Sequence, residues 1–144
     1  MTRGGYGSKL HLMTEARGLP IGFVLTQGNR NECPEFVRLY EQSVATSGHV
    51  PQQLGADRGY SADFIRAYLQ ERGVQPVIPM RSSEHKTDRP VLDRVAYKGR
   101  NVIERCIGKL KDLRRICSRY DKLAASYETM ITLGCIVLYL RVLP

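Results

Sequence analysis

The chain has 144 residues, with 22 Lys plus Arg against 14 Asp plus Glu and a formal net charge of +8. That length allows one domain with a real core, or part of one, and excludes two domains of ordinary size. The surplus of positive charge favours a polyanionic partner, although charge alone does not distinguish a nucleic-acid binder from a basic soluble protein.

In chain order, residues 8–13 and 21–26 are short, β-prone and apolar, and the Gly18-Leu19-Pro20 stretch between them marks a turn, so a hairpin is expected first. Residues 35–46 carry Phe36, Leu39, Tyr40 and Val44 at near-helical spacing behind Pro34, which suits a first helical turn. Residues 53–56 predict a short strand ending at Asp57, and Ser61 is placed to cap a helix running to about Arg72. Asp57 then lies in a strand-to-helix loop, where a sheet presents functional side chains. Residues 75–78 predict another strand, closed by Pro79. Residues 80–90 are polar and aperiodic, with Arg81, Glu84, His85, Lys86, Asp88 and Arg89, and predict a mobile loop.

Residues 97–111 predict a single helix. With Tyr97 at zero and about 100° per residue, Arg100, Glu104 and Lys111 fall within about 60° of it, on one stripe. Val102, Ile103, Cys106, Ile107, Leu110 and Leu113 occupy the neighbouring arc and form an apolar face. A carboxylate beside a guanidinium and an ammonium suits a site that handles a metal ion and a phosphate. Between Lys98 and Lys122, nine basic residues face only Glu104, Asp112 and Asp121. A turn at 119–124 and a last helix from about Ser126 complete the order. Its apolar part is shorter than the ~20 residues a bilayer requires, so a packed helix is expected, with subunit contact a weaker alternative.

Cys33, Cys106, Cys117 and Cys135 lack the paired spacing of zinc or redox sites, and read as buried or free thiols in a reducing cytoplasm. His11, His49 and His85 show no ligand spacing and are expected to be structural or on the surface. The Gly-rich start does not resemble a signal peptide. Taken singly, Asp57 reads as a turn residue and Glu104 as half of a surface ion pair. The order of elements predicts an α/β fold with a mixed sheet.

Tyr97, Arg100, Glu104 and Lys111 together resemble the tyrosine-arginine-glutamate-lysine signature of bacterial insertion-sequence transposases of the DDE type. Ala56-Asp57-Arg58-Gly59-Tyr60 resembles the family segment carrying its second aspartate. Arg114-Arg115-Ile116, followed by Ser118-Arg119-Tyr120-Asp121-Lys122, resembles the tail after its glutamate. The resemblance implies a ribonuclease H-like fold and two Mg²⁺ (or Mn²⁺) ions, with Asp57 and Glu104 as catalytic metal ligands. It further implies that Tyr97, Arg100, Lys111, Arg114 and Arg115 contact DNA at transposon ends and target, with basic residues of the 80–90 loop alongside. The family's first aspartate lies on a central strand ahead of Met1, so the expected sheet is incomplete and this chain alone is expected to cleave little DNA. The partners implied are DNA, the missing amino-terminal part and a second copy in a homodimer, at the bacterial nucleoid and without a membrane. A rival reading is a non-catalytic DNA-binding or interaction remnant that inhibits the intact enzyme.

Overall fold

The computed structural model describes residues 7–81, 91–118, 121 and 123–143. The hairpin forms as its turn residues dictate: β1 (Ser8–Thr14) pairs antiparallel with β2 (Pro20–Gln27), with a register shift between Met13 and Thr14. Gly18 adopts φ 88° in the turn, a left-handed conformation that favours glycine.

Side chains alternate across the hairpin with period two, and the two faces go to different cores. Leu12, with Leu10, Phe23 and Leu25, packs against the carboxyl-terminal helices, in a cluster with Cys106, Leu110, Ile116, Tyr127, Ile131 and Leu138. Met13, on the opposite face, joins a second cluster built from Phe36, Tyr40, Leu54, Ile65, Leu69, Val74 and Ile78. Each fully buried aliphatic side chain contributes about 1.5–3 kcal/mol relative to an exposed one, which makes these two clusters the main source of cohesion.

The second cluster is assembled by α1 (Glu35–Ser47), β3 (Gln53–Gly55), α2 (Asp63–Glu71) and β4 (Gln75–Val77), with β3 and β4 paired in parallel. A 3-10 turn at Arg58–Tyr60 lies between β3 and α2. Ser61 does not cap α2: the N-cap is Ala62 without a side-chain bond, and the Ser61 hydroxyl accepts from Arg66 Nη2 at 2.9 Å. Arg66 also donates to the Ile78 carbonyl at 2.8 Å, and this competing donor draws the hydroxyl away from the helix end.

The helix expected at 97–111 is two helices, α3 (Arg94–Gly99) and α4 (Asn101–Lys111), which meet at Arg100. It begins earlier because Asp93 Oδ1 accepts from the amides of Val95 and Ala96 at 2.9 and 3.0 Å, a side-chain cap. It breaks because Gly99 is a weak helix former and the local bonds tighten to three-residue spacing, Arg100 N to Tyr97 O at 3.1 Å and Ile103 N to Arg100 O at 3.0 Å. Beyond the break the expected apolar face holds, with Cys106 and Leu110 each 1% exposed. The chain ends in α5 (Arg114–Cys117) and α6 (Ala124–Leu140). Among the described residues no helix is long and apolar enough to cross a membrane, and the cysteines are free thiols.

The α/β class is as expected, but the strands do not form one sheet. The antiparallel pair β1–β2 and the parallel pair β3–β4 are separate two-stranded sheets among the described residues. One cavity of about 670 Å³ is lined by β1 from Lys9 to Thr14, by β3, by α1 and by α4.

Candidate functional site

Asp57 follows β3 and caps the 3-10 turn, its Oδ1 accepting from the Gly59 amide at 2.8 Å. This local bond orients the carboxylate while its residue stays exposed. The turn itself is tied down from three other elements. The Gly59 carbonyl accepts from Cys33 Sγ at 3.1 Å and from Arg81 Nη2 at 2.7 Å, and Arg81 Nε donates to the Arg58 carbonyl at 3.0 Å. Tyr60 OH lies 2.6 Å from His11 Nδ1 on β1.

His11 is 1% exposed and fully engaged, rather than a lone surface histidine. Its Nε2 lies 3.0 Å from Thr26 Oγ1, and the Thr26 hydroxyl donates to the Gln27 carbonyl. The threonine oxygen therefore accepts from Nε2–H, and Nδ1 accepts from the Tyr60 hydroxyl: the neutral ring satisfies both contacts. Burial, opposed by the Glu32 carboxylate, lowers the His11 pKa below its ordinary value. Burial also raises the Tyr60 pKa, so the phenol keeps its proton.

Glu104 projects from the first turn of α4 and pairs with Arg100 Nη2 at 2.7 Å. Arg100 and Glu104 line the same cavity as Asp57, as do Lys9, Glu32 and His11. The cavity thus brings together Asp57, Arg100 and Glu104 of the expected site. Tyr97, Lys111, Arg114 and Arg115 do not line it. Tyr97 lies under the Arg100 guanidinium, 5.4 Å from ring centre to carbon. Lys111 and Arg114 are exposed, and Arg115 pairs with Asp121 at 3.3 Å. Of the expected 80–90 loop, the exposed Arg81 donates to two carbonyls of the Arg58–Tyr60 turn; residues 82–90, 119, 120 and 122 lie outside the described residues.

Hard divalent cations prefer oxygen ligands, and the exposed carboxylates of Asp57 and Glu104 fit such an ion in kind. Among the described residues, no three of His, Cys, Asp and Glu converge as a metal-holding group. The fit is that of two carboxylates, from different elements, lining one cavity. Sequence reasoning missed Glu32 and His11 as neighbours of Asp57. Nothing in their spacing signals it, since they come from the segment before α1 and from β1.

The transposase DDE domain profile matches residues 2–140. The chain is similar to the transposase assigned to insertion sequence element IS402 of Burkholderia cepacia, 32% identical over 135 residues that cover 90% of this chain and 61% of the relative. It is also similar to the transposase assigned to IS6501 of Brucella ovis, 31% identical over 134 residues that cover 93% of this chain and 98% of the relative. The chain thus spans less than two thirds of the first relative and almost all of the second. No solved structure matches. With nearly the whole chain matched by the domain profile and by both relatives, this protein belongs to the DDE transposase family.

Proposed function

We propose that the chain forms the carboxyl-terminal part of a ribonuclease H-like catalytic domain that cleaves phosphodiester bonds and transfers strands at transposon ends. Members of the family generally depend on divalent metal ions. The observation that carries the proposal is that Asp57 and Glu104, from β3 and α4, line a single cavity between two unjoined sheets. Bound divalent ions would activate the attacking oxygen and stabilise the leaving one. Asp57 would hold such an ion with a carboxylate already oriented by the Gly59 amide. Glu104 would exchange its bond with Arg100 for metal ligation, which frees that guanidinium for a phosphate oxygen. Tyr97, Lys111, Arg114 and Arg115 would extend the DNA contact along the basic helices, where phosphate contacts position the duplex without reading its sequence.

The cavity also supports the incomplete-sheet reading. Among the described residues β1 and β3 each have one strand partner, and an unpaired edge is a template for another strand. The cavity runs along both pairs, lined by residues 9–14 of β1 and 53–55 of β3. An acid at the end of such a strand, supplied by the amino-terminal part of the transposase, would add the carboxylate that the described residues lack.

The test joins this chain to an amino-terminal transposase segment bearing an aspartate-tipped strand and measures nicking of transposon-end DNA in Mg²⁺. Cleavage that is lost on Asp57→Asn or Glu104→Gln, and weak or absent with the chain alone, is expected. A cooperatively folded fusion that leaves DNA uncut, or cuts equally well with either substitution, refutes the catalytic reading. The net charge of +8 favours one alternative, a DNA-binding remnant: salt-sensitive DNA association with no metal dependence in any of these proteins would establish it. Association of two chains as a homodimer, read by sedimentation, belongs to the same proposal.

A further inference from the structure

The turn that presents Asp57 is held by a side chain that arrives from the far end of the α/β unit. Arg81 lies beyond β4, four residues after Val77, and spends both arms of its guanidinium on consecutive carbonyls of the turn: Nε on Arg58 O at 3.0 Å and Nη2 on Gly59 O at 2.7 Å. The planar fork of an arginine spans two such acceptors at once, whereas a lysine ammonium cannot hold both in the same fixed geometry. The amide of that same Gly59 is the donor that fixes Asp57 Oδ1 at 2.8 Å. The Gly59 N–H lies in the same planar peptide as the Arg58 carbonyl, so the Nε bond to Arg58 O pins the peptide group on which the carboxylate depends, and the Nη2 bond pins the peptide that follows.

The other side of Gly59 is closed as well. A Cβ on this residue would fall on the Glu32 carboxylate and within 2.9 Å of Asp57 Oδ1, while Glu32 is anchored by Lys9 at 3.1 Å. The turn is thus gripped between Arg81 and Glu32, and Asp57 is left with little freedom to change its direction. We propose that Arg81 is a positioning residue for Asp57: it orients the carboxylate toward a divalent ion through the Arg58 and Gly59 carbonyls without itself contacting the ion. This inference rests on the reading of Asp57 as a metal ligand.

Electrostatics and geometry make opposite predictions for its removal, which gives the test its force. Deleting a positive charge near a cation site raises cation affinity if charge alone matters. Losing the clamp lowers it, because outer partners of a ligand typically change metal affinity 10–100-fold.

The experiment titrates the full chain with Mn²⁺ and follows paramagnetic broadening of the amide signals of residues 57–61, with thermal unfolding measured on the same samples. Arg81→Ala is expected to raise the Mn²⁺ midpoint about tenfold, with an unfolding midpoint within about 4 °C of the parent. Arg81→Lys, which keeps the charge and one donor, is expected to fall between the two. Arg72→Ala removes a positive charge that sits over the Tyr68 ring instead, and is expected to leave broadening at 57–61 unchanged.

Unchanged or tighter Mn²⁺ binding in Arg81→Ala overturns the positioning role while leaving Asp57 as a ligand. A weakened midpoint accompanied by a large loss of thermal stability also overturns it, since Arg81 would then support the fold and not the carboxylate. If the parent chain shows no broadening that Asp57→Asn abolishes, the metal reading of Asp57 itself fails and the inference falls with it.

Discussion

Glu104→Gln separates the structural use of this residue from its proposed chemical use. The side chain of Glu104 is 58% exposed and that of Arg100 26%, so their 2.7 Å contact is a largely solvated i,i+4 pair. Such pairs contribute about 0.3–0.5 kcal/mol. Glu104 also stands in the first turn of α4, where a carboxylate interacts with the helix N-terminus for about 0.3–1 kcal/mol. Glutamine keeps the volume and one acceptor oxygen but removes the charge, so the expected loss of stability is about 1 kcal/mol. For a chain of this size that lowers the unfolding midpoint by about 2–4 °C. Metal binding should respond far more, because an amide oxygen is a poor substitute for a carboxylate on a hard divalent ion. The assay is thermal unfolding by circular dichroism, repeated over a Mn²⁺ series. The expected result is a small shift without metal, together with loss of the stabilisation that Mn²⁺ gives the parent chain. A loss above about 3 kcal/mol without metal would refute the surface-pair reasoning, as that size belongs to buried charges. Full retention of the Mn²⁺ response would remove Glu104 from the metal site.

Ser43 is fully buried on α1 and its Oγ has no hydrogen-bond partner among the described residues, so Ser43→Ala should stabilise the protein by about 1 kcal/mol; a lower denaturant midpoint would contradict this. His11 has a folded pKa below its usual 6.5, so the unfolded chain takes up the proton first and stability is lost as pH falls below about 6.5. Melting curves from pH 7.5 to 5.5 should show a steeper loss in the parent than in His11→Gln, and equal slopes would show that the ring is not buried neutral. Asp93→Ala removes the cap of α3 and should cost about 1 kcal/mol, with faster amide exchange at Val95 and Ala96 and unchanged exchange in α6. Ile131, 0% exposed between the hairpin and the carboxyl-terminal helices, should lose about 2–5 kcal/mol on conversion to Ala, measured by urea unfolding.

The sequence alone determined the parts of this protein whose cause is local. Gly18-Leu19-Pro20 marks the hairpin turn, the spacing of Phe36, Leu39 and Tyr40 marks α1, and Cys106, Ile107 and Leu110 mark the buried face of α4, because turn sterics and helical periodicity act over a few residues. The spacing of Tyr97, Arg100, Glu104 and Lys111 likewise carried the family, and two of those residues line the Asp57 cavity. Local rules failed where two local preferences competed: Asp93 outbid Tyr97 as the helix start, Gly99 broke the run at Arg100, and Arg66 took the Ser61 hydroxyl from the end of α2. Tertiary structure alone decided what surrounds Asp57. Cys33, Glu32, His11 and Arg81 come from before α1, from β1 and from beyond β4, and no pattern along the chain relates them. They meet because the hairpin buries its two faces in different cores, which brings β1 alongside the β3 turn and leaves the edges of two short sheets facing one cavity. Packing of the whole molecule sets that convergence, since burying apolar faces is a long-range free energy that no short segment satisfies by itself.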